Sequence, residues 1–212
     1  MVTLKRFLAV LTVAMLVASG TSLAYAAVTP PPLAMTTNTP SLTGGGTLSV
    51  TVKISPKAGV GGRRVALTAS NSAATVPSSV VIKEGATSVS VKVPLTPVTA
   101  NKSVTLTAAY SKYKATLKIT VLAPTLSKVT LPLEIVTGRD GQGTITLTGV
   151  TARDTVVLLK SSNSKLTVDS QVVIPKGQKT GKFSYLASIL TKSATVTFSA
   201  TLGEKVLTQR IV

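Results

Sequence analysis

Apolar and polar residues alternate with a period of two along most of this chain. Leu48, Val50, Val52 and Ile54 alternate with Ser49, Thr51 and Lys53. Val65, Leu67 and Ala69 alternate with Arg64, Ala66, Thr68 and Ser70, and Val89, Val91 and Val93 with Ser88, Ser90 and Lys92. Val104, Leu106, Ala108 and Tyr110 form another such row, as do Ala115, Leu117, Ile119 and Val121. Successive side chains of a strand point to opposite faces, so each segment has one apolar face and one face of Ser, Thr or Lys. That pattern predicts antiparallel sheets, dry on one side and wet on the other. Val, Ile and Thr are stiff at Cβ and suit a pleated surface. Gly85 and Gly177 fall between predicted strands, where a tight turn needs positive φ.

The pattern occurs twice. Residues 65–120 align without a gap with residues 157–212, at an offset of 92, and 18 of the 56 pairs are identical. Ser70-Asn71-Ser72 matches Ser162-Asn163-Ser164, and Val80-Val81-Ile82 matches Val172-Val173-Ile174. Upstream, Gly46-Thr47-Leu48 matches Gly143-Thr144-Ile145 at an offset of 97. This register gives the first unit five extra residues, expected as a loop outside the core within Ser55 to Gly62. The expected domains are 33–123 and 124–212, meeting near Ala123-Pro124. About seven strands in each stretch of about 90 residues point to a β-sandwich.

The segment before the repeats has a different character. Lys5 and Arg6 precede an apolar run from Phe7 to Val17, and Ala24-Tyr25-Ala26 is an A-x-A cleavage site. Residues 1–26 are therefore expected to be a secretory signal peptide. Its apolar run is short of the roughly 20 residues that span a bilayer. Residues 27–32 contain Pro30-Pro31-Pro32 and form a short, stiff linker. The mature chain carries no other stretch able to cross a membrane.

The 212 residues include no His, Cys or Trp. Ser-His-Asp and Cys-His centres cannot be built without them, and zinc, copper and haem sites lose their usual ligands. Stability outside the cell must come from packing without disulfides. The six acidic residues, Glu84, Glu134, Asp140, Asp154, Asp169 and Glu204, are scattered, which argues against calcium and against a glycosidase pair. Lys179-Thr180-Gly181 matches K-T-G, and Ser111 to Lys114 and Ser162 to Lys165 match S-x-x-K. Those motifs need a serine on a helix beside the K-T-G strand, and the pattern predicts no helix. Asn101-Lys102-Ser103 is a glycosylation sequon in a loop, and Gly44-Gly45-Gly46 is a turn leading into a strand.

The run from Val65 to Ser72, the run Thr75-Val-Pro-Ser-Ser-Val-Val-Ile-Lys-Glu-Gly-Ala-Thr-Ser, and Val104-Thr-Leu-Thr-Ala together resemble bacterial immunoglobulin-like repeats. The second unit keeps the pattern in Val172-Val-Ile-Pro-Lys-Gly and Val196-Thr-Phe-Ser-Ala. The resemblance implies an all-β protein of two tandem immunoglobulin-like sandwiches. It also implies a spacer, adhesive or carbohydrate-associated module without cofactor or catalysis.

Charge adds one candidate site. With 23 basic and 6 acidic residues the net charge is +17, and residues 33–123 alone carry 10 basic and 1 acidic residue. In such a sandwich the third, sixth and seventh strands lie side by side. Arg64, Lys114 and Lys118, with Lys112 at the turn, should share their outward face, with Thr68, Thr105, Thr107 and Thr116 between them. That face is a candidate site for an anionic polymer, since ammonium groups supply charge and hydroxyls supply hydrogen bonds. No aromatic platform or Arg-rich segment for specific nucleic-acid recognition is expected. The sequence thus predicts an exported, non-catalytic protein with a structural or adhesive role at the cell envelope or extracellular matrix. The alternative is a soluble module for an anionic polysaccharide. The expected partners are an anionic envelope or matrix polysaccharide, or another surface protein.

Overall fold

The computed structural model describes residues 32–212; the expected signal peptide and residues 27–31 of the linker lie outside the described residues. These described residues form sixteen strands and no helix. The first eight are β1 (Leu33–Thr36), β2 (Ser41–Thr43), β3 (Thr47–Ile54), β4 (Arg63–Ala69), β5 (Ser79–Ile82), β6 (Ser88–Pro94), β7 (Lys102–Tyr110) and β8 (Tyr113–Leu122). The second eight are β9 (Leu126–Thr130), β10 (Asp140–Leu147), β11 (Thr155–Ser161), β12 (Leu166–Val168), β13 (Gln171–Ile174), β14 (Thr180–Ala187), β15 (Val196–Leu202) and β16 (Lys205–Ile211).

A sheet ordered β1-β3-β6 faces one ordered β2-β8-β7-β4-β5. Likewise β12-β14-β10-β9 faces β13-β11-β15-β16. Strand β2 runs parallel to β8, pairing Ser41 with Thr120 and Thr43 with Leu122. The leading segment is thus divided between the two sheets, β1 in one and β2 in the other. This is immunoglobulin-like topology, and the protein is all-β. The second sandwich keeps the same parallel contact as two hydrogen bonds, Ile135 N to Val212 O (3.1 Å) and Val212 N to Leu133 O (3.0 Å).

Two separate cores lie between these sheets. The first includes Leu48, Val50, Val52, Val65, Ile82, Val104 and Ile119. The second includes Ile145, Leu147, Val157, Ile174, Phe183 and Phe198. The inward rows are those the alternation predicts. Gly85 and Gly177 turn with φ of +73° and +79°. Ala58, in the loop expected to lie outside the core, is instead buried. Its N–H donates to Ala86 O and its carbonyl accepts from Gly85 N, closing one end of the sandwich.

The repeat extends to individual hydrogen bonds. Leu67 N donates to Ser78 O as Leu159 N does to Ser170 O. Ser70 Oγ accepts from Thr105 N (3.0 Å) as Ser162 Oγ does from Thr197 N (2.9 Å). The single bridge Ala74–Leu95 recurs as the Leu166–Ala187 pair, lengthened into β12.

One register differs from the sequence alignment. Val50 pairs with Val91 and Gly143 pairs with Phe183, so β3 maps onto β10 at an offset of 93, not 97. The first loop therefore holds one extra residue rather than five. The discrepancy is four residues, an even number, so it leaves every side chain on its proper face and the alternation cannot detect it. The cause lies in β10, whose inward positions opposite Tyr185 and Phe183 are Gly141 and Gly143. The aromatic rings lie where those glycines lack Cβ atoms: a Cβ on Gly143 would also fall 2.8 Å from Leu131 Cδ2. Phe183 in turn stacks on Phe198, with centroids 5.0 Å apart.

The pair Val50–Val91 of the first sandwich and Gly143–Phe183 of the second thus fill equivalent space. Gly143→Val alone should overpack and cost about 2 kcal/mol. Phe183→Val alone should leave a cavity and cost about 2–3 kcal/mol. The double variant recreates the pair of the first sandwich, and urea unfolding should show it about 1 kcal/mol or more better than the sum of the singles.

Candidate functional site

Strands β8, β7 and β4 are neighbours, and their register defines the outward face. Ala109 pairs with Lys114, Thr107 with Thr116 and Thr105 with Lys118 on one side of β7. Ala66 pairs with Ala109 and Thr68 with Thr107 on its other side. Arg64 lies two residues before Ala66, beside the β7–β8 turn that carries Lys112. Arg64, Lys112 and Lys114 therefore gather at one end of the face, all exposed. Lys118 shares the face about 13 Å further along β8. Between them run Thr68, Thr105, Thr107 and Thr116. Arg64 reaches Ser79 Oγ at 3.5 Å and otherwise points to solvent.

Sequence reasoning missed the neighbouring cluster. Arg63 projects to the other side of β4, where its guanidinium donates to Tyr110 Oη and lies 4.3 Å from that ring's centroid. Tyr110 and Tyr113 pair directly across the hairpin and stack at 6.5 Å. Lys112 Nζ lies 5.6 Å from the Tyr113 ring. The expectation that no aromatics cluster is thus corrected at this hairpin. The available signal was Tyr110-Ser-Lys-Tyr113, because a two-residue turn makes residues three apart direct cross-strand partners. Both tyrosines are half-buried against the core and Arg63 is half-exposed. The end of the first sandwich is therefore a basic and aromatic rim.

The second sandwich shows that the fold does not require this rim. At the offset of 92, Arg63 becomes Thr155, Arg64 becomes Val156, Tyr110 becomes Leu202, Lys112 becomes Glu204 and Lys114 becomes Val206. Its outward face keeps Lys160 and Arg210 beside exposed Val156, Leu158 and Val206.

The remaining motifs have local structural roles. Asn101 Oδ1 accepts from Ala123 N at 2.9 Å. Glu84 accepts from Gly61 N, and Asp154 from Lys176 N, so each carboxylate ties one turn to the adjacent loop. Asp169 accepts from Ser184 N at 2.6 Å. Among the described residues no three acidic side chains converge on a point that could hold a metal ion. Ser162 lies near the Leu166–Ala187 end of β14, whereas Lys179 precedes the other end, roughly 26 Å away along the strand. Ser111 occupies the β7–β8 turn in the first sandwich, at φ +49°.

No known protein family and no curated protein matches the chain. Solved structures do resemble it. Domains 4 and 5 of the S-layer protein SbsC match at 14% identity and TM-score 0.33, over 84% of this chain and 96% of that one. Titin domains Z1Z2, solved in complex with telethonin, match at 14% identity and TM-score 0.35, over 85% and 91%. Bovine butyrophilin matches at 7% identity and TM-score 0.37, over 85% and 98%. None of these likenesses bears on function.

The rim generates two stability predictions. Arg63→Lys keeps the charge but loses the planar stacking and the directed hydrogen bond. It should cost about 1 kcal/mol in urea unfolding. Ser111→Gly should instead stabilise by about 1 kcal/mol, because an L side chain is strained at positive φ. The corresponding residue of the second sandwich is already glycine, Gly203, at φ +57°.

Proposed function

We propose that the chain is an exported, non-catalytic scaffold of two tandem immunoglobulin-like domains, 33–123 and 124–212, with a structural or adhesive role at the cell envelope or extracellular matrix. The observation that carries this reading is the close coupling of the two sandwiches. Strand β8 ends at Leu122 and β9 begins at Leu126, leaving three residues between them. Thr125 is then held twice by the second sandwich: its N–H donates to Thr148 Oγ1, and its carbonyl accepts from Thr148 N. A connection of this kind suits a spacer that displays its faces at a set separation. The apolar leader with its A-x-A site supports export. Among the described residues no helix is long and apolar enough to cross a membrane.

A second reading, a soluble module for an anionic polysaccharide, is favoured by the basic face and aromatic rim of the first sandwich. Guanidinium and ammonium groups would meet carboxylate or phosphate groups of the polymer, and the tyrosine edges would meet sugar rings.

Both readings are tested on the protein purified from its cells. Mass spectrometry should place the N-terminus at Ala27. On purified cell-wall material, an anionic polysaccharide and a neutral one, retention on an anionic bait should persist at physiological salt. Arg64→Glu with Lys118→Glu should weaken it about tenfold. Retention lost on every bait at that salt removes the polysaccharide reading and leaves the scaffold. An uncleaved N-terminus removes export.

A further inference from the structure

The end of the first sandwich that carries the aromatic rim also carries the β3–β4 loop and the β5–β6 turn. The strand registers place them together. Arg63, the first residue of β4, pairs with Ile82, the last of β5, and Ala66 pairs with Ala109, just before the β7–β8 turn.

The β3–β4 loop is anchored at its base. Ala58 is buried and bonded through its N–H and its carbonyl to the β5–β6 turn. A Cβ on Gly62 would fall 2.7 Å from Ile82 O, so the other leg of the loop is pressed against β5. Between these anchors Gly62 N donates to Gly59 O at 3.0 Å, which closes a turn with Val60 and Gly61 at its centre. Gly61 has φ +79°, a value that favours glycine. The tip stands clear: among the described residues nothing lies within 4 Å of where a Cβ on Gly59 or Gly61 would be. Val60 is 93% exposed, the most of any large apolar side chain among the described residues.

The charge at this end is of one sign. Lys57 lies in the loop, Arg63 and Arg64 follow it, Lys83 stands in the β5–β6 turn, and Lys112 and Lys114 lie at the hairpin. Five of the six are exposed and Arg63 is half-exposed. Glu84, the single acid of residues 33–123, is engaged, its carboxylate accepting from Gly61 N. The corresponding end of the second sandwich lies at the junction with the first. There Thr155, Val156, Glu204 and Val206 replace Arg63, Arg64, Lys112 and Lys114.

A single exposed valine is ordinary. Its place at the tip of a projecting turn, amid six cations, is not explained by solubility. An anionic polymer would use the cations and leave the valine in water. A surface of anionic lipid would use both. Lysine and arginine reach headgroup phosphates on long apolar stems, while an apolar tip enters the boundary between headgroups and acyl chains. Tyrosines such as those of the rim suit the same interfacial layer.

We propose that this end of the first sandwich docks on a membrane surface of anionic lipid, with Val60 inserted below the headgroups and the cations among the phosphates. The inference rests on the envelope reading for where such a surface is met, and it uses none of the polysaccharide chemistry.

The test uses the protein purified from its cells, at physiological salt, with vesicles of phosphatidylcholine alone or mixed with phosphatidylglycerol. Sedimentation should show the protein held by the mixed vesicles and not by the neutral ones. Val60→Ser should weaken binding about fivefold. Lys83→Glu with Lys112→Glu should weaken it at least about tenfold. Lys128→Glu with Lys182→Glu, an equal change of charge on the outward face of β9 and β14, should change it less than about twofold. Circular dichroism should show every variant folded. Because the chain has no Trp, Val60→Trp supplies a single reporter. Its emission should be that of a solvated indole without vesicles. On mixed vesicles it should shift to the blue and be quenched by brominated acyl chains.

Failure to bind the mixed vesicles overturns the proposal, as does an indole already shielded without lipid. So does binding with no shift or quenching, which marks adsorption by charge alone. A Val60→Ser variant that binds like the wild type, or a Lys128→Glu, Lys182→Glu variant that loses as much as the tip variant, overturns it too. Retention on cell-wall material or polysaccharide by a protein that ignores the vesicles overturns this inference alone. An uncleaved N-terminus removes export whatever the vesicles show.

Discussion

Each cross-strand pair between β3 and β6, and between β10 and β14, has to fill one layer of the space between two sheets. Val50–Val91 and Leu48–Val93 do so with aliphatic side chains of similar size. Gly143–Phe183 and Gly141–Tyr185 do so with an aromatic ring lying over a bare backbone. A core that lacks cysteine depends on such filling, because interiors are close-packed and an unfilled layer loses both hydration and dispersion energy. What the repeat preserves is therefore the volume of the pair and not the residue at either position. The hydrogen bonds around it are preserved more strictly, since a buried N–H or carbonyl left without a partner costs more than an imperfect apolar contact.

That division explains why chemistry concentrates on one sandwich. Outward side chains contribute little to stability, so the faces of the two units can diverge while their cores stay equivalent. Arg63, Tyr110, Lys112 and Tyr113 interlock at the end of the first unit, and their counterparts Thr155, Leu202, Glu204 and Lys205 do not. The difference in charge follows the same line: residues 33–123 carry 10 basic and 1 acidic residue, residues 124–212 carry 11 and 5. The more basic sandwich holds the aromatic rim, and the less basic one carries exposed Val156, Leu158 and Val206 on the matching face.

The ends of the sandwiches behave differently from their faces. An end that meets a neighbour must match its shape, which is why glycine stands at Gly45 and Gly149, where backbone and side chain approach closely. The same turn at Gly138 presents larger apolar side chains to solvent. The short connection from Leu122 to Leu126 holds the Gly45 turn of the first sandwich against the β10–β11 loop of the second.

By itself the sequence determined the all-β class, the faces of most strands, and the exclusion of His- and Cys-dependent chemistry. It could do so because period-two alternation and missing residue types are local facts. The outward row of Arg64, Lys114 and Lys118 was legible for the same reason, once neighbouring strands were assumed from the fold. The register of β10 was not legible, because Gly141 and Gly143 hide their inward positions and an even slip preserves every face. The Arg63–Tyr110–Tyr113 cluster and the burial of Ala58 also came only from the tertiary structure. They depend on how a hairpin and a loop close over the end of the core, and no periodicity encodes that closure. Which turns are covered was decided there too: Thr43 lies against Gly149 of the second sandwich whereas Val136 is 71% exposed, because coverage depends on which loop of a neighbouring unit packs on the turn.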